Sequence, residues 1–184
     1  MVEGKPYQFT LELVGASQNK LINEIQIGKN SNKILKTIEL NYKKSLCFKN
    51  VFPLIEDIFN QEDNNLAKFI GYSLKKITDY LETDVSFTYS SEIAKNNDLK
   101  NQDKIINICE KLNAKEYVNL MGGLDLYDKE IFRSKNIRLS FIETKKIKYK
   151  QFNNKFVPFL SVIDIMMHNN KNIIAHMLKN FKLI

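Results

Sequence analysis

The feature that most constrains the fold is an alternation of strand and helix patterns over residues 84–143. Three short runs with apolar, β-branched and aromatic residues predict strands, and helical patterns lie between them. The predicted strands are residues 84–91, 116–121 and 137–143, and the predicted helices are residues 103–113 and 128–132. Strands that alternate with helices pair in parallel through right-handed crossovers. The sequence therefore predicts an α/β fold with a mostly parallel β-sheet flanked by helices.

The N-terminal part of the chain predicts one strand followed by a helical segment. Residues 7–14 alternate apolar and polar positions, which is typical of a strand with one polar face. Helical periodicity follows at residues 34–42 and 51–59, and it is clearest at residues 66–81. Two further helices, 161–168 and 171–181, close the chain. Since no linker or internal repeat interrupts the sequence, we expect a single domain over residues 1–184.

The net charge of +7 does not indicate a nucleic-acid partner. Only Arg133 and Arg138 among the 28 basic residues are arginine, whereas proteins that bind phosphates and base edges favour the arginine fork. The charge suits an anionic small substrate or weak association with an anionic membrane surface. No apolar run approaches the ~20 residues of a transmembrane helix, and no apolar leader opens the sequence, so the expected compartment is the cytoplasm.

The cysteines and histidines do not predict a metal site. Cys47 and Cys109 are far apart in sequence. Cys109 shares a helix face with apolar residues, which indicates a buried thiol. His168 and His176 are eight positions apart, which is about 12 Å along one helix and too far for a shared ion. We expect no metal and no cofactor.

Ser161 and Asp164 are polar residues inside an otherwise apolar run, "FLSVIDIMMH". The spacing fits a capping box, in which the serine accepts from an amide of the first turn and the acid reaches back. Alternatively, burial shifts the pKa of Asp164, and the carboxylate acts as a base or orients a nucleophile. The two interpretations are compatible, because a helix cap at the edge of a pocket can serve both purposes.

Gly122 and Gly123 follow a predicted strand and precede a helix. Backbone amides at the carboxyl edge of a parallel sheet bind anions, so this bend is a candidate oxyanion or phosphate site. The plain alternative is a glycine turn needed only for backbone geometry.

Two further segments are candidates for substrate contact. Ser90 and Ser91 end a predicted strand, and the alternative for Ser91 is a turn or helix cap. Tyr149 and Gln151 lie in a segment that is polar and aromatic at once, which suits sugar rings or nucleobases. That segment is equally compatible with packing against its own helix.

Together these motifs resemble the WbqC-like protein family. The resemblance runs over most of the chain, from "KPYQFTLEL" through "ICEKLNAKEYVNLMGGLDLYD" to "YKQFNNKFVPFLSVIDIMMHN". The last segment carries the most specific pattern, Y-x-Q-F followed by F-x-P-x-L-S-x-I-D. Its positions here are Tyr149, Gln151, Phe156, Pro158, Leu160, Ser161, Ile163 and Asp164.

The resemblance implies a role in bacterial O-antigen or surface-polysaccharide biosynthesis. The expected enzyme is a transferase that moves glycine or another acyl group from an activated donor to a sugar or nucleotide-sugar. The alternative is a non-catalytic module that binds a sugar nucleotide or glycan in the same pathway. Family members usually begin with a His-Gln-Pro-rich segment that includes tryptophan, whereas this chain has no tryptophan. We therefore expect a domain truncated at its N-terminus.

Overall fold

The computed structural model describes residues 1–2, 4–152 and 155–184. The chain divides into two compact units. The first unit contains Met1–Phe87 and Ile147–Met177, and the second contains Thr88–Lys146 and Leu178–Ile184. The prediction of a single domain over residues 1–184 stays a prediction.

The first unit is mainly helical. Its strands are β1 (Leu13–Val14) and β2 (Gln26–Ile27), and its helices are α1 (Ser31–Tyr42), α2 (Phe48–Phe59), α3 (Leu66–Tyr80), α6 (Val162–His168) and α7 (Lys171–Met177), with a 3₁₀ helix at Ile22–Glu24. The helical segment predicted after the first strand is confirmed. The main core joins apolar faces of α1, α2, α6 and α7, where Val51, Met167 and Ile174 are almost completely buried.

The strand predicted over residues 7–14 is shorter than expected. Only Leu13–Val14 pairs, antiparallel to Gln26–Ile27. The preceding backbone is held by a side chain, because Asn30 donates to the carbonyl of Thr10 at 2.8 Å and accepts from the amide of Glu12 at 2.9 Å. An asparagine thus satisfies backbone groups that a neighbouring strand would otherwise pair.

The second unit holds a three-stranded sheet. Its elements are α4 (Asn101–Lys111), β3 (Glu116–Leu120), α5 (Lys129–Ser134), β4 (Arg138–Thr144) and β5 (Phe181–Leu183), with 3₁₀ helices at Ser90–Glu92 and Met121–Leu126. Strands β3 and β4 are parallel, with Glu116 opposite Arg138 and Leu120 opposite Ile142. Strand β5 pairs antiparallel with β4. The side chain of Asp128 caps α5 by accepting from the amides of Glu130 and Ile131.

The prediction of a mostly parallel sheet is wrong. The fold of the described residues is mixed α and β, with one two-stranded antiparallel sheet and one three-stranded sheet that contains a single parallel pair. Residues 84–91 form no strand, and Ser90 and Ser91 begin a 3₁₀ helix instead. The last predicted helix ends at Met177, and Phe181–Leu183 adds an antiparallel strand. None of the helices in the described residues combines the length and apolar character that crossing a bilayer requires.

The two glycines after β3 differ in their surroundings. Both lie in the 3₁₀ helix Met121–Leu126. A Cβ added to Gly123 would lie 2.6 Å from Nδ2 of Asn119 and 3.2 Å from the Tyr127 ring, whereas a Cβ on Gly122 would meet nothing within 4 Å. Close packing therefore explains why residue 123 is a glycine. It does not require a glycine at position 122.

The pair Gly123→Ala and Gly122→Ala tests this packing. We expect Gly123→Ala to lower the free energy of unfolding by about 1–3 kcal/mol, because the side chains of Asn119 and Tyr127 must move away from the new methyl group. Gly122→Ala serves as the matched control and changes stability by less than about 1 kcal/mol, toward greater stability. Urea unfolding of both variants measures the difference, and equal midpoints would contradict the packing argument.

Candidate functional site

Asp164 lies in the first turn of α6, directly after a serine cap. The hydroxyl of Ser161 accepts a hydrogen bond from the amide of Ile163 at 3.3 Å, so the capping role predicted for Ser161 is observed. The carboxylate of Asp164 makes its hydrogen bonds elsewhere, with long-range partners in the interior. Asp164 is only 1% exposed. The serine therefore caps the helix while the acid serves another purpose.

Three donors converge on the buried carboxylate. Oδ1 accepts from the hydroxyl of Tyr42 at 2.6 Å. Oδ2 accepts from the hydroxyl of Tyr149 at 2.7 Å and from Nε2 of Gln151 at 2.9 Å. Both oxygens thus have protein partners, which is what allows a carboxylate to be buried.

Gln151 is itself held in place by its own loop. Its Oε1 accepts from the amide of Val157 at 2.7 Å, and its Nε2 donates to the carbonyl of Val157 at 3.0 Å. The side chain is buried, and Tyr149 packs edge-on against Phe156 with ring centroids 5.4 Å apart. The polar and aromatic segment around Tyr149 therefore folds inward onto Asp164.

His168 lies one helical turn after Asp164. Its Nε2 is 3.8 Å from Oδ1 of Asp164, and its side chain is 5% exposed. Nε2 has no hydrogen-bond partner among the described residues. The ring of Phe152 lies edge-on to the imidazole with centroids 4.4 Å apart. Burial lowers the pKa of His168, and Asp164 offsets that effect in part, so the imidazole is neutral at neutral pH.

The two tyrosines remain protonated donors. Burial is the largest cause that raises the pKa of Tyr42 and Tyr149, and the hydrogen bond of each hydroxyl to Asp164 raises it further. We call Tyr42, Tyr149, Gln151, Asp164 and His168 the carboxylate cluster. It combines an acceptor fixed by three donors with a neutral imidazole close by.

Two cavities adjoin the carboxylate cluster. One of about 330 Å³ is lined by Met1, Gly4, Leu40, Asn41, Lys43, Lys44 and Phe152. A second of about 60 Å³ has Tyr42 and Ser161 in its walls. Within the part of the chain that the structure describes, no group of three or more His, Cys, Asp or Glu residues is placed to hold a metal ion.

The predicted site residues are divided between the two units. The structure brings Tyr149, Gln151 and Asp164 into direct contact, and it places Ser161 at the cap of the same helix. The remaining predicted residues, Gly122, Gly123, Ser90 and Ser91, lie in 3₁₀ helices of the second unit. Their roles in substrate binding stay predictions.

Two members of the carboxylate cluster were not predicted from the sequence. His168 is four positions after Asp164, a spacing that places both side chains on one helix face. This spacing could have identified His168 from the sequence. Tyr42 is 122 positions from Asp164. It occupies the apolar stripe of α1, where a tyrosine is read as a core residue, and nothing local indicates its polar partner.

Comparisons with known proteins give one family and one curated relative. No solved structure matches the chain. The uncharacterized protein Rv1507c of Mycobacterium tuberculosis is 23% identical over 137 residues, which cover 72% of this chain and 58% of that protein. The chain thus spans less than two thirds of the length of this relative. The WbqC-like protein family matches residues 2–176, nearly the whole sequence, and the chain therefore belongs to the WbqC-like protein family.

Proposed function

We propose that this chain is a transferase of O-antigen or surface-polysaccharide biosynthesis, which moves glycine or another acyl group onto a sugar. Membership of the WbqC-like family supports the pathway. The observation that carries the chemistry is the carboxylate cluster, in which a buried acid and a buried imidazole lie 3.8 Å apart. An acid that orients a neutral imidazole is a recurring arrangement in acyl transfer.

In this reaction His168 acts as the general base. The hydroxyl or amine of the sugar attacks the carbonyl carbon of an acyl ester or thioester, and its proton passes to the imidazole. The bond from the acyl carbon to the leaving group then breaks, and the imidazolium returns the proton to that group. Asp164 stabilises the imidazolium while it exists, since the two side chains are already adjacent.

The geometry favours Asp164 as the residue that stabilises the imidazolium over Asp164 as the base. Both of its oxygens already accept hydrogen bonds from Tyr42, Tyr149 and Gln151. A substrate proton would have to displace one of these donors. Nε2 of His168, by contrast, is buried and has no hydrogen-bond partner among the described residues. Its lone pair is not engaged, and the proposed mechanism requires the sugar to reach this buried atom.

A second candidate is a non-catalytic module that binds a sugar nucleotide or glycan for a partner enzyme. The observation that favours it is the complete hydrogen bonding of Asp164, which suits a structural acceptor as well as one that stabilises the imidazolium. Under this alternative the larger cavity binds ligand and no acyl group is transferred. Ligand binding without turnover would distinguish the module from the transferase.

Asp164→Asn tests the role of the carboxylate. Asparagine has an NH₂ group in place of one carboxylate oxygen. This group is only a donor, so it cannot accept the hydrogen bonds that the oxygen accepts. We expect the free energy of unfolding to fall by about 1–3 kcal/mol and transfer to fall by about 10²-fold or more. The measurements are urea unfolding and mass spectrometry of surface-glycan glycine in the native host, with the variant replacing the gene.

Asp57→Asn is the matched control for this experiment. Asp57 is an exposed carboxylate on α2 that pairs with Lys76 at 2.8 Å. Because exposed ion pairs contribute little, the control changes stability by less than about 1 kcal/mol and leaves transfer intact. Normal glycine transfer by a folded Asp164→Asn variant would overturn the mechanism proposed for the carboxylate cluster.

The buried imidazole also predicts a pH dependence of stability. The pKa of His168 is lowered from its ordinary value of 6.5 in the folded chain, with burial as the largest cause. The unfolded chain therefore binds a proton more readily, and the free energy of unfolding declines as pH falls through 6.5. The groups that face the ring are Asp164, Tyr42, Tyr149 and the N-terminal amino group.

The variant His168→Gln should lose this part of the acid sensitivity. We expect its urea midpoint to depend less on pH between about 7.5 and 5 than that of the wild-type protein. His176→Gln, which replaces an exposed histidine on α7, is the matched control. Parallel curves for all three proteins would show that His168 does not titrate on unfolding.

A further inference from the structure

The larger cavity lies where α1 ends. Its volume of about 330 Å³ is within the range of small-molecule sites. Leu40, Asn41, Lys43 and Lys44 contribute from the end of α1 and the turn that follows, and Phe152 contributes from the loop after Tyr149. The cavity is therefore lined by the same two segments that supply donors to Asp164, together with Met1 and Gly4.

Two lysines line this cavity, and neither has an acidic partner among the residues that the structure describes. They are Lys43 and Lys44, and both are exposed. Lysines after a helix also stabilise its last carbonyls through the helix dipole. The helix dipole alone would explain lysines at these positions. It would not explain the concave surface or the apolar residues beside them.

The remaining walls suit the carbon face of a sugar. Leu40 is 56% exposed, which leaves an apolar side chain at the cavity. Phe152 is half-buried and presents an aromatic ring. Asn41 donates through Nδ2 to the carbonyl of Thr37 at 2.8 Å, and its Oδ1 has no donor among the described residues. A carbonyl oxygen of this kind can accept from a sugar hydroxyl.

The cavity is one aromatic ring away from the carboxylate cluster. The Phe152 ring centroid is 4.4 Å from that of His168 and 6.3 Å from that of Tyr42. A ligand in contact with Phe152 would therefore lie next to the residues assigned to the chemistry. This adjacency distinguishes Lys43 and Lys44 from the exposed lysines of α1.

We propose that this cavity binds the phosphate or diphosphate group of a phosphorylated sugar. Lys43 and Lys44 bind the phosphate oxygens, and Phe152 contacts the sugar ring. The identity of the ligand as a sugar substrate rests on the function proposed above, whereas the anion site rests on the cavity and its cations alone. A nucleotide diphosphate sugar and a lipid-linked sugar diphosphate carry the same chemistry.

The test compares two double variants of the same helix and its C-terminal turn. The variant Lys43→Ala/Lys44→Ala removes the two lysines of the cavity, and the control Lys33→Ala/Lys36→Ala removes two exposed lysines of α1 that do not line it. Calorimetry with inorganic pyrophosphate at low salt measures the affinity of each protein. We expect the cavity variant to bind about tenfold or more weakly, and the control to keep wild-type affinity. Circular dichroism verifies that both variants fold.

The outcomes distinguish failure of the proposed anion site from failure of the proposed transferase mechanism. Absence of pyrophosphate binding by the wild-type protein, or equal losses in both double variants, would overturn the site. Lysine-dependent binding of uridine diphosphate supports a soluble nucleotide sugar, and lysine-dependent binding of phosphatidylcholine vesicles that contain phosphatidic acid supports a lipid-linked one. If Asp164→Asn has normal glycine transfer, the proposed mechanism fails. If the same variant still binds pyrophosphate, the anion site is supported all the same.

Discussion

Burial of the Asp164 carboxylate is the constraint on which the rest of the first unit depends. An ionised carboxylate removed from water loses several kcal/mol of hydration, and only well-placed donors restore it. Here the donors come from α1 and from the loop that precedes α6, with Tyr42 and Tyr149 on opposite oxygens. A displacement of either segment leaves a buried charge with an unfilled oxygen. The polar contacts therefore fix the relative positions of segments whose apolar packing alone allows small shifts.

Gln151 links its own loop to the buried carboxylate. Gln151 bonds to both the amide and the carbonyl of Val157 while it donates to Asp164. One amide side chain thus closes a turn of the backbone and satisfies a charge. Because all polar atoms of the buried Gln151 side chain are engaged, Gln151 and Val157 have little freedom to move relative to the acid. This explains why so polar a segment lies against the helices and not in solvent.

Part of this arrangement can be predicted from the sequence, for identifiable physical reasons. The helix periodicity at residues 66–81 and the cap at Ser161 depend on local spacing, and both are found. An acid inside an apolar run marked Asp164 as unusual. Tyr42 could not be found in this way, because its partner is 122 positions away and its own neighbours are core residues. Strand pairing failed for a similar reason, since residues 84–91 have a strand-like composition but pair with no described strand.

The register of α1 connects the proposed chemistry with the proposed anion site. Tyr42 is the last residue of this helix, and Lys43 and Lys44 follow it directly. The hydrogen bond from Tyr42 to Asp164 holds the last residue of α1 in place, and it thereby positions the two lysines that follow. A rotation of α1 that moved the lysines out of the cavity would also withdraw the Tyr42 hydroxyl from the carboxylate. Anion binding and carboxylate burial are therefore coupled through one helix end, so that a ligand held by the lysines stabilises the geometry in which Asp164 is fully bonded.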